Sequence, residues 1–225
     1  MNYLFLSKTE LFKGISESDL ENIIKCLGAT EKKFKKSETI YTAGCSVTDI
    51  GLVLSGSVNI IVNHYWGSSN ILGHISPGQI FAETYAIIPG KELLCDVVAN
   101  EETSVLFINA DKVITVCRSA CSFHNTLIRN LLKIAAQKNL NLSVRMIHTA
   151  PKFIRDRLLS YFSEQSLIAG TMHFTIPFSR QQLADYLGVE RSALSNELSK
   201  MKRDGLIYYN KNSFTLLSDE SITSG

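Results

Sequence analysis

Ser179-Arg180-Gln181-Gln182-Leu183-Ala184-Asp185-Tyr186-Leu187-Gly188-Val189-Glu190 reads as a short helix with both ends marked. A serine stands where a side-chain oxygen can accept from the first free backbone N–H groups, and a glycine supplies the left-handed residue that ends the helix. A second helix is expected from about Arg191 to Arg203. It buries Leu194, Leu198 and Met201 at helical spacing and turns Ser192, Ser195, Asn196, Ser199 and Lys202 outward. Small Ala184 lets the two helices approach, so Ser179–Asp204 is a helix-turn-helix whose second helix presents a polar reading face.

Working outward, Leu206-Ile207-Tyr208-Tyr209 and Ser213-Phe214-Thr215-Leu216-Leu217, separated by Asn210-Lys211-Asn212, read as a hairpin that makes the domain winged. The last residues, 218–225, read as disordered. Upstream, Phe153–Ser163 is helical by the spacing of Ile154, Leu158, Leu159 and Phe162, and Ala169–Pro177 reads as a turn and a short strand. Pro151 marks a break, since proline is tolerated at a helix start but not inside one. A domain boundary is therefore expected near 148, giving domains over 1–147 and 148–225.

Between Ala110 and His148 helical periodicity returns. Ile128, Leu132, Ala135, Asn139, Leu142 and Met146 alternate steps of four and three over nearly three heptads, the pattern of a coiled-coil seam in a central helix over about 121–147. Asn139 inside such a seam lowers stability but can fix register in a two-stranded state. The helix either pairs with a second copy or lies against its own domain. A second strip, Leu127, Leu131 and Ile134, lets both hold together.

From Ala29 to Asn109 the pattern is one of short β-rich runs: Thr39–Tyr41, Ile50–Leu54, Val58–Val62, Ile71–Ile75, Val97–Ala99 and Val105–Ile108. Gly44, Gly56, Gly73, Gly78 and Pro89–Gly90 punctuate them. Spacings near ten residues suggest an antiparallel roll, not a parallel sheet with crossover helices. Residues 9–28 read as short leading helices with Ser16 or Ser18 as a cap. Lys32, Lys33, Lys35 and Lys36 read as the solvated side of a strand. The fold class is α+β.

Bulk properties narrow the class of function. With 225 residues, 45% apolar and 20% charged, the chain suits two domains. It has no apolar run approaching the roughly 18 residues a membrane span needs. Met1–Lys8 lacks the features of a secretory leader, so a cytoplasmic protein is expected. Five cysteines, odd in number and scattered, read as thiols. Net charge is only +2, and 148–225 holds nine Lys/Arg against eight Asp/Glu; nucleic-acid binding rests on pattern, not on bulk charge. No nucleophile–base pair, carboxylate pair or metal triad is readable, so no enzyme is expected.

The order of β-roll, long helix and winged helix-turn-helix, together with Gly44…Leu54-Ser55-Gly56-Ser57-Val58 and Pro77-Gly78-Gln79-Ile80-Phe81-Ala82-Glu83, resembles the cyclic-AMP receptor protein/FNR family over essentially the whole chain. The resemblance implies an N-terminal β-roll of the cyclic-nucleotide-binding kind (a double-stranded β-helix), a long dimerisation helix and a C-terminal winged helix-turn-helix. It also implies a homodimer on two-fold-symmetric double-stranded DNA, with RNA polymerase as a further partner of an activator. Ser179 and Arg180 match phosphate-contacting positions. Where the family usually reads bases through Arg, Glu and a second Arg, this chain has Arg191, Ser192 and Asn196, which implies a different half-site.

In members that bind cyclic AMP an Arg-Ser pair holds the phosphate, and here the aligned residues are Leu93 and Leu94. Glu83 is kept, Lys91 is the one cation between Gly78 and Ala99, and Lys138 and Asn139 align with base-contacting positions. A pocket near Phe81, Leu93, Leu94 and Cys95 therefore suits an apolar or aromatic small molecule better than a cyclic phosphate. No cofactor is assigned and the effector stays unidentified. A cluster would need closely spaced thiolates, which are missing. Cys117 and Cys121, one helical turn apart, read as buried thiols, and His64 and His74 as ordinary residues, so no metal is assigned. The competing reading is a ligand-binding regulatory module that acts on a protein partner.

Overall fold

Alternation with period two explains the N-terminal half. Along 103–109 successive side chains point to opposite sides, and both sides are buried: Leu106 and Ile108 join one apolar cluster, Val105 and Phe107 another. Such a strand lies between two layers. The computed structural model describes residues 1–225 except 64, 66, 68, 116–121 and 218–225; His64, Cys117, Cys121 and the 218–225 tail lie outside the described residues.

In chain order the elements are α1 (Tyr3–Ser7), α2 (Glu17–Leu27), β1 (Thr30–Phe34), β2 (Thr39–Tyr41), β3 (Asp49–Ser55), β4 (Val58–Asn63), β5 (Ser69–Ile75), β6 (Ile80–Phe81), α3 (Glu83–Ile87), β7 (Asp96–Ala99), β8 (Thr103–Asn109), α4 (Ala110–Ile114), α5 (Ser122–Thr149), α6 (Ile154–Ala169), β9 (His173–Thr175), α7 (Arg180–Leu187), α8 (Arg191–Arg203), β10 (Ile207–Asn210) and β11 (Ser213–Leu216). They fall into two compact units, Met1–Gln137 and Lys138–Gly225. No helix among the described residues is long and apolar enough to cross a membrane.

The first unit holds two four-stranded antiparallel sheets, ordered β1-β8-β3-β6 and β2-β7-β4-β5. Val53, Phe81, Val105 and Phe107 from one sheet meet Val58 and Val97 from the other, filling the space between them. Leu52 and Leu106, paired in register, face the opposite way with Ile50 and Ile108 and pack against α1, α2, α4 and α5. Within α5 the strip Leu127, Leu131 and Ile134 covers this side of the roll, as expected, and Asn130 Nδ2 donates to the Leu11 and Lys13 carbonyls at 2.9 and 2.8 Å.

Two positions show how tightly the interior is filled. At Gly51 any Cβ would overlap the Phe81 ring. Ala82, next along the chain, sits at φ 62°, a left-handed conformation that costs a non-glycine residue about 1 kcal/mol.

Some elements differ from the sequence reading. Strand β6 and helices α1, α3 and α4 were not delimited in it, being too short for a period to register, and β1 was read only as a strand side carrying the lysine run because its residues are mostly exposed and polar. Helix α6 runs to Ala169 instead of Ser163, because the chain stays helical through exposed Leu167 and Ile168 until Gly170 turns left-handed. Ser16, not Ser18, caps α2, accepting from Asp19 N.

Because the Phe81 ring occupies the space a methyl would need, Gly51→Ala is expected to lower stability by about 2 kcal/mol. Phe81→Leu, costly alone, should restore part of that loss in the double variant. Urea unfolding of the four chains checks this, and purely additive losses would contradict the packing.

Candidate nucleic-acid interface

The second unit is built around Leu158, Phe162, Phe174, Leu183, Ala184, Leu187, Leu194, Leu198, Met201 and Phe214, all buried. Helix α7 begins with a reciprocal cap: Ser179 Oγ accepts from Gln182 N while Gln182 Oε1 accepts from Ser179 N at 2.9 Å. Gly188, at φ 64°, ends it. The turn then leads into α8, whose bounds Arg191–Arg203 are those expected. Strands β10, β11 and β9 form a three-stranded antiparallel sheet with the wing turn at Lys211–Asn212.

At 100° per residue, Leu194, Leu198 and Met201 define the inner side of α8. Ser192, Asn196, Ser199 and Arg203 fall within about 60° of arc on the opposite side, and all four are exposed. Arg203 was not among the expected reading residues, although the same wheel places it there. Ser195 is half-buried, with its carbonyl accepting from Ser199 Oγ at 2.9 Å. Arg191 is exposed at the helix start. Lys202 lies to one side, its ammonium 4.7 Å from the Tyr208 ring centroid and 5.3 Å from that of Tyr209.

Charge is sorted across this helix. Arg155 on α6 donates to Glu197 Oε1 and to Asp204 Oδ2, both at 2.7 Å, so the two carboxylates nearest the end of α8 are drawn to its rear. The last turn then carries Lys200, Lys202 and Arg203. Residues far apart in sequence make this arrangement, so composition could not show it.

The C-terminus of α7 is gripped by two further arginines. Arg145 donates to the Tyr186 and Asp185 carbonyls, each at 2.9 Å, and Arg157 to the Leu187 carbonyl at 2.9 Å. Cations there satisfy the free carbonyls of a helix end and its negative pole. Beside them His148 is buried, its Nδ1 2.8 Å from Tyr186 Oη and its Nε2 3.3 Å from Glu164. Burial pushes the imidazole below its ordinary pKa, against the raising pull of Glu164.

On the expected seam of α5, Leu132, Leu142 and Met146 are 65, 62 and 70% exposed, Ala135 and Asn139 are exposed, and Ile128 is half-buried. This stripe lies roughly 100° around the helix from Leu127 and Leu131, so covering the roll leaves it open. Of the expected effector-pocket residues, Phe81, Glu83 and Leu93 are buried, Cys95 is half-buried and Leu94 is 73% exposed. Gly44 N donates to the Leu93 carbonyl and Leu93 N to the Cys45 carbonyl, at 2.8 and 3.0 Å. Phe81 belongs to the roll interior. Lys138 and Asn139 lie on α5 in the second unit.

Residues 31–120 match the family model of the cyclic nucleotide-binding domain, and residues 156–221 that of the Crp-like helix-turn-helix domain. The chain belongs to the Crp/Fnr family of transcription regulators. A curated relative of this family, the CRP-like cAMP-activated global transcriptional regulator of Mycobacterium tuberculosis, is 22% identical over 209 residues, 90% of this chain and 89% of that one. Among solved structures, CprK in complex with OCPA is 17% identical, with TM-score 0.64 over 89% of this chain and 91% of that one. A CooA mutant from Carboxydothermus hydrogenoformans is 18% identical, with TM-score 0.58 over 96 and 91%. Those two likenesses concern the fold alone.

Since the His148 imidazole is held below the unfolded value of about 6.5, the unfolded chain takes up its proton first as pH falls, and stability is lost on acidification. The wild-type chain should therefore lose more stability than His148→Gln between about pH 7.5 and 5.5. Urea unfolding at the two pH values reads this, and equal losses would contradict a neutral buried imidazole.

Proposed function

We propose that the protein is a homodimeric, sequence-specific DNA-binding transcription regulator of the cytoplasm, acting through binding and not catalysis. Its β-roll responds to a small molecule other than cyclic AMP. The observation that carries the DNA reading is the exposed stripe Ser192, Asn196, Ser199 and Arg203, opposite a buried Leu194–Leu198–Met201 face, with Glu197 and Asp204 held behind it by Arg155. Hydroxyl, amide and guanidinium groups read base edges, whereas carboxylates would repel the phosphates.

Arg191 and Asn196 are assigned to bases, Arg to guanine and Asn to adenine, with Ser192 and Ser199 permissive. Ser179, whose hydroxyl proton remains to donate at a helix N-terminus, is assigned to a phosphate. The open α5 stripe from Ile128 to Met146 is assigned to a second copy, with Asn139 pairing across the two-fold axis. A dimer places two recognition helices about one turn of DNA apart. RNA polymerase is the further partner if the protein activates.

For the effector, buried Leu93 and exposed Leu94 at the aligned positions offer no cation to a cyclic phosphate, and Lys91 is exposed. A buried phosphate without a counter-charge would be strongly disfavoured. The roll is assigned a neutral or apolar guest near Phe81, Glu83, Leu93 and Cys95.

Selection from random duplexes tests the reading. A two-fold-symmetric site should be enriched, cyclic AMP should leave the enriched set and its affinity unchanged, and Arg191→Ala should flatten preference at one base pair by about 1–3 kcal/mol. No enriched duplex, with a protein co-purifying instead, would favour the partner-binding reading. Separately, Leu142→Glu is expected to give a monomer in analytical ultracentrifugation and to lose two-fold sites. A dimer unchanged by it would overturn the seam.

A further inference from the structure

Arg180, the first residue of α7, aligns with a phosphate contact in the resemblance, but its guanidinium is turned into the protein. Its centre lies 4.9 Å from the Tyr209 ring centroid and 5.0 Å from that of Phe214. Nη2 donates to the Lys211 carbonyl at 2.9 Å, and Nη1 is buried without a hydrogen-bond partner. Both ends of the fork that would meet a phosphate are withdrawn from solvent or occupied.

What it holds is the wing tip. Lys211 is one of three non-glycine residues with positive φ among the described residues, at 52°. A lysine in that conformation is strained and needs its surroundings to keep it there. Two bonds reach the turn from outside the hairpin: Arg180 on the Lys211 carbonyl, and Ile176 N on the Asn212 carbonyl at 2.9 Å. The Lys211 side chain itself is exposed.

We propose that Arg180 is a positioning residue that latches the wing to the helix-turn-helix, and that Lys211 at the wing tip makes the phosphate contact in its place. Arginine is suited to this because its planar cation stacks on rings while its fork donates sideways; lysine at the same position keeps the charge but has neither the plane to stack nor the rigid fork to donate from it at the same time. Burial lowers the guanidinium's pKa, as expected for a cation facing rings instead of water. The DNA half of this inference rests on the proposed function; the latch does not.

The test separates the two. In the full-length free protein, limited trypsin digestion should cut after Lys211 several-fold faster in Arg180→Lys and Arg180→Ala than in wild type, with thermal melts confirming that each variant is folded. Wild-type cutting rates in both would overturn the latch. On the selected duplex, Lys211→Ala should reduce the slope of log affinity against log salt by about one. Arg180→Lys should lose affinity about three- to tenfold, as Arg180→Ala does, and combining it with Lys211→Ala should cost little more than Lys211→Ala alone. If Arg180→Lys keeps wild-type affinity while Arg180→Ala does not, or if the losses add, Arg180 itself touches phosphate and the inference falls. Faster cutting in a protein that selects no duplex would keep the latch and sink the DNA reading instead.

Discussion

A helix that faces a polyanion cannot leave carboxylates on that side, and the pairing of Arg155 with Glu197 and Asp204 meets this constraint. Repulsion acts over about a Debye length, roughly 8–10 Å, so an acid anywhere on the front of α8 would weaken every phosphate contact nearby. Drawing both acids onto α6 also fixes the rotation of α8 about its own axis, because the buried Leu194, Leu198 and Met201 face and the ion pairs pull on adjacent sides. The same contacts that pack the helix therefore aim its polar stripe.

A comparable division of labour governs α5. Its apolar residues exceed what the roll can cover, since Leu127 and Leu131 are buried while Leu132 and Leu142 are open on the same helix. Large exposed leucines at heptad spacing lose little by facing water singly, but in a row they mark a contact surface. The roll stays sealed because the other strip does that work, with Asn130 tied to the leading segment.

Much of this was legible in the residues. Short β-rich runs between glycine turns marked six strands close to their bounds, and the serine and glycine flanking α7, with the burial spacing of α8, delimited both helices of the motif. Short elements such as β6 and α3 carry too few residues for a period to register, and they are held by pairing with β3 and by packing. In the candidate site, exposure of Ser192, Asn196, Ser199 and Lys202 followed from helical spacing, whereas Ser195, expected outward with them, is half-buried. The duties of Arg155, Arg145 and Arg180 did not, because their hydrogen-bond partners lie 31 to 49 positions away and nothing local distinguishes an arginine that binds phosphate from one that binds a carbonyl or a ring.

That ambiguity has a physical root in the side chain. Guanidinium is a weakly hydrated, flat cation with five donors, equally suited to carboxylate, carbonyl and aromatic surfaces. In this unit each use occurs: carboxylates for Arg155, the carbonyls ending α7 for Arg145 and Arg157, two rings and a wing carbonyl for Arg180. Counting such residues as DNA-directed charge overstates the field that reaches solvent. Outward among the described residues are Lys152, Arg191, Arg203 and the lysines of α8 and the wing. Under the proposed reading, the exposed cations outside the stripe centre supply affinity for phosphate, while Arg191 and the hydroxyl and amide groups of Ser192, Asn196 and Ser199 are left to discriminate between bases.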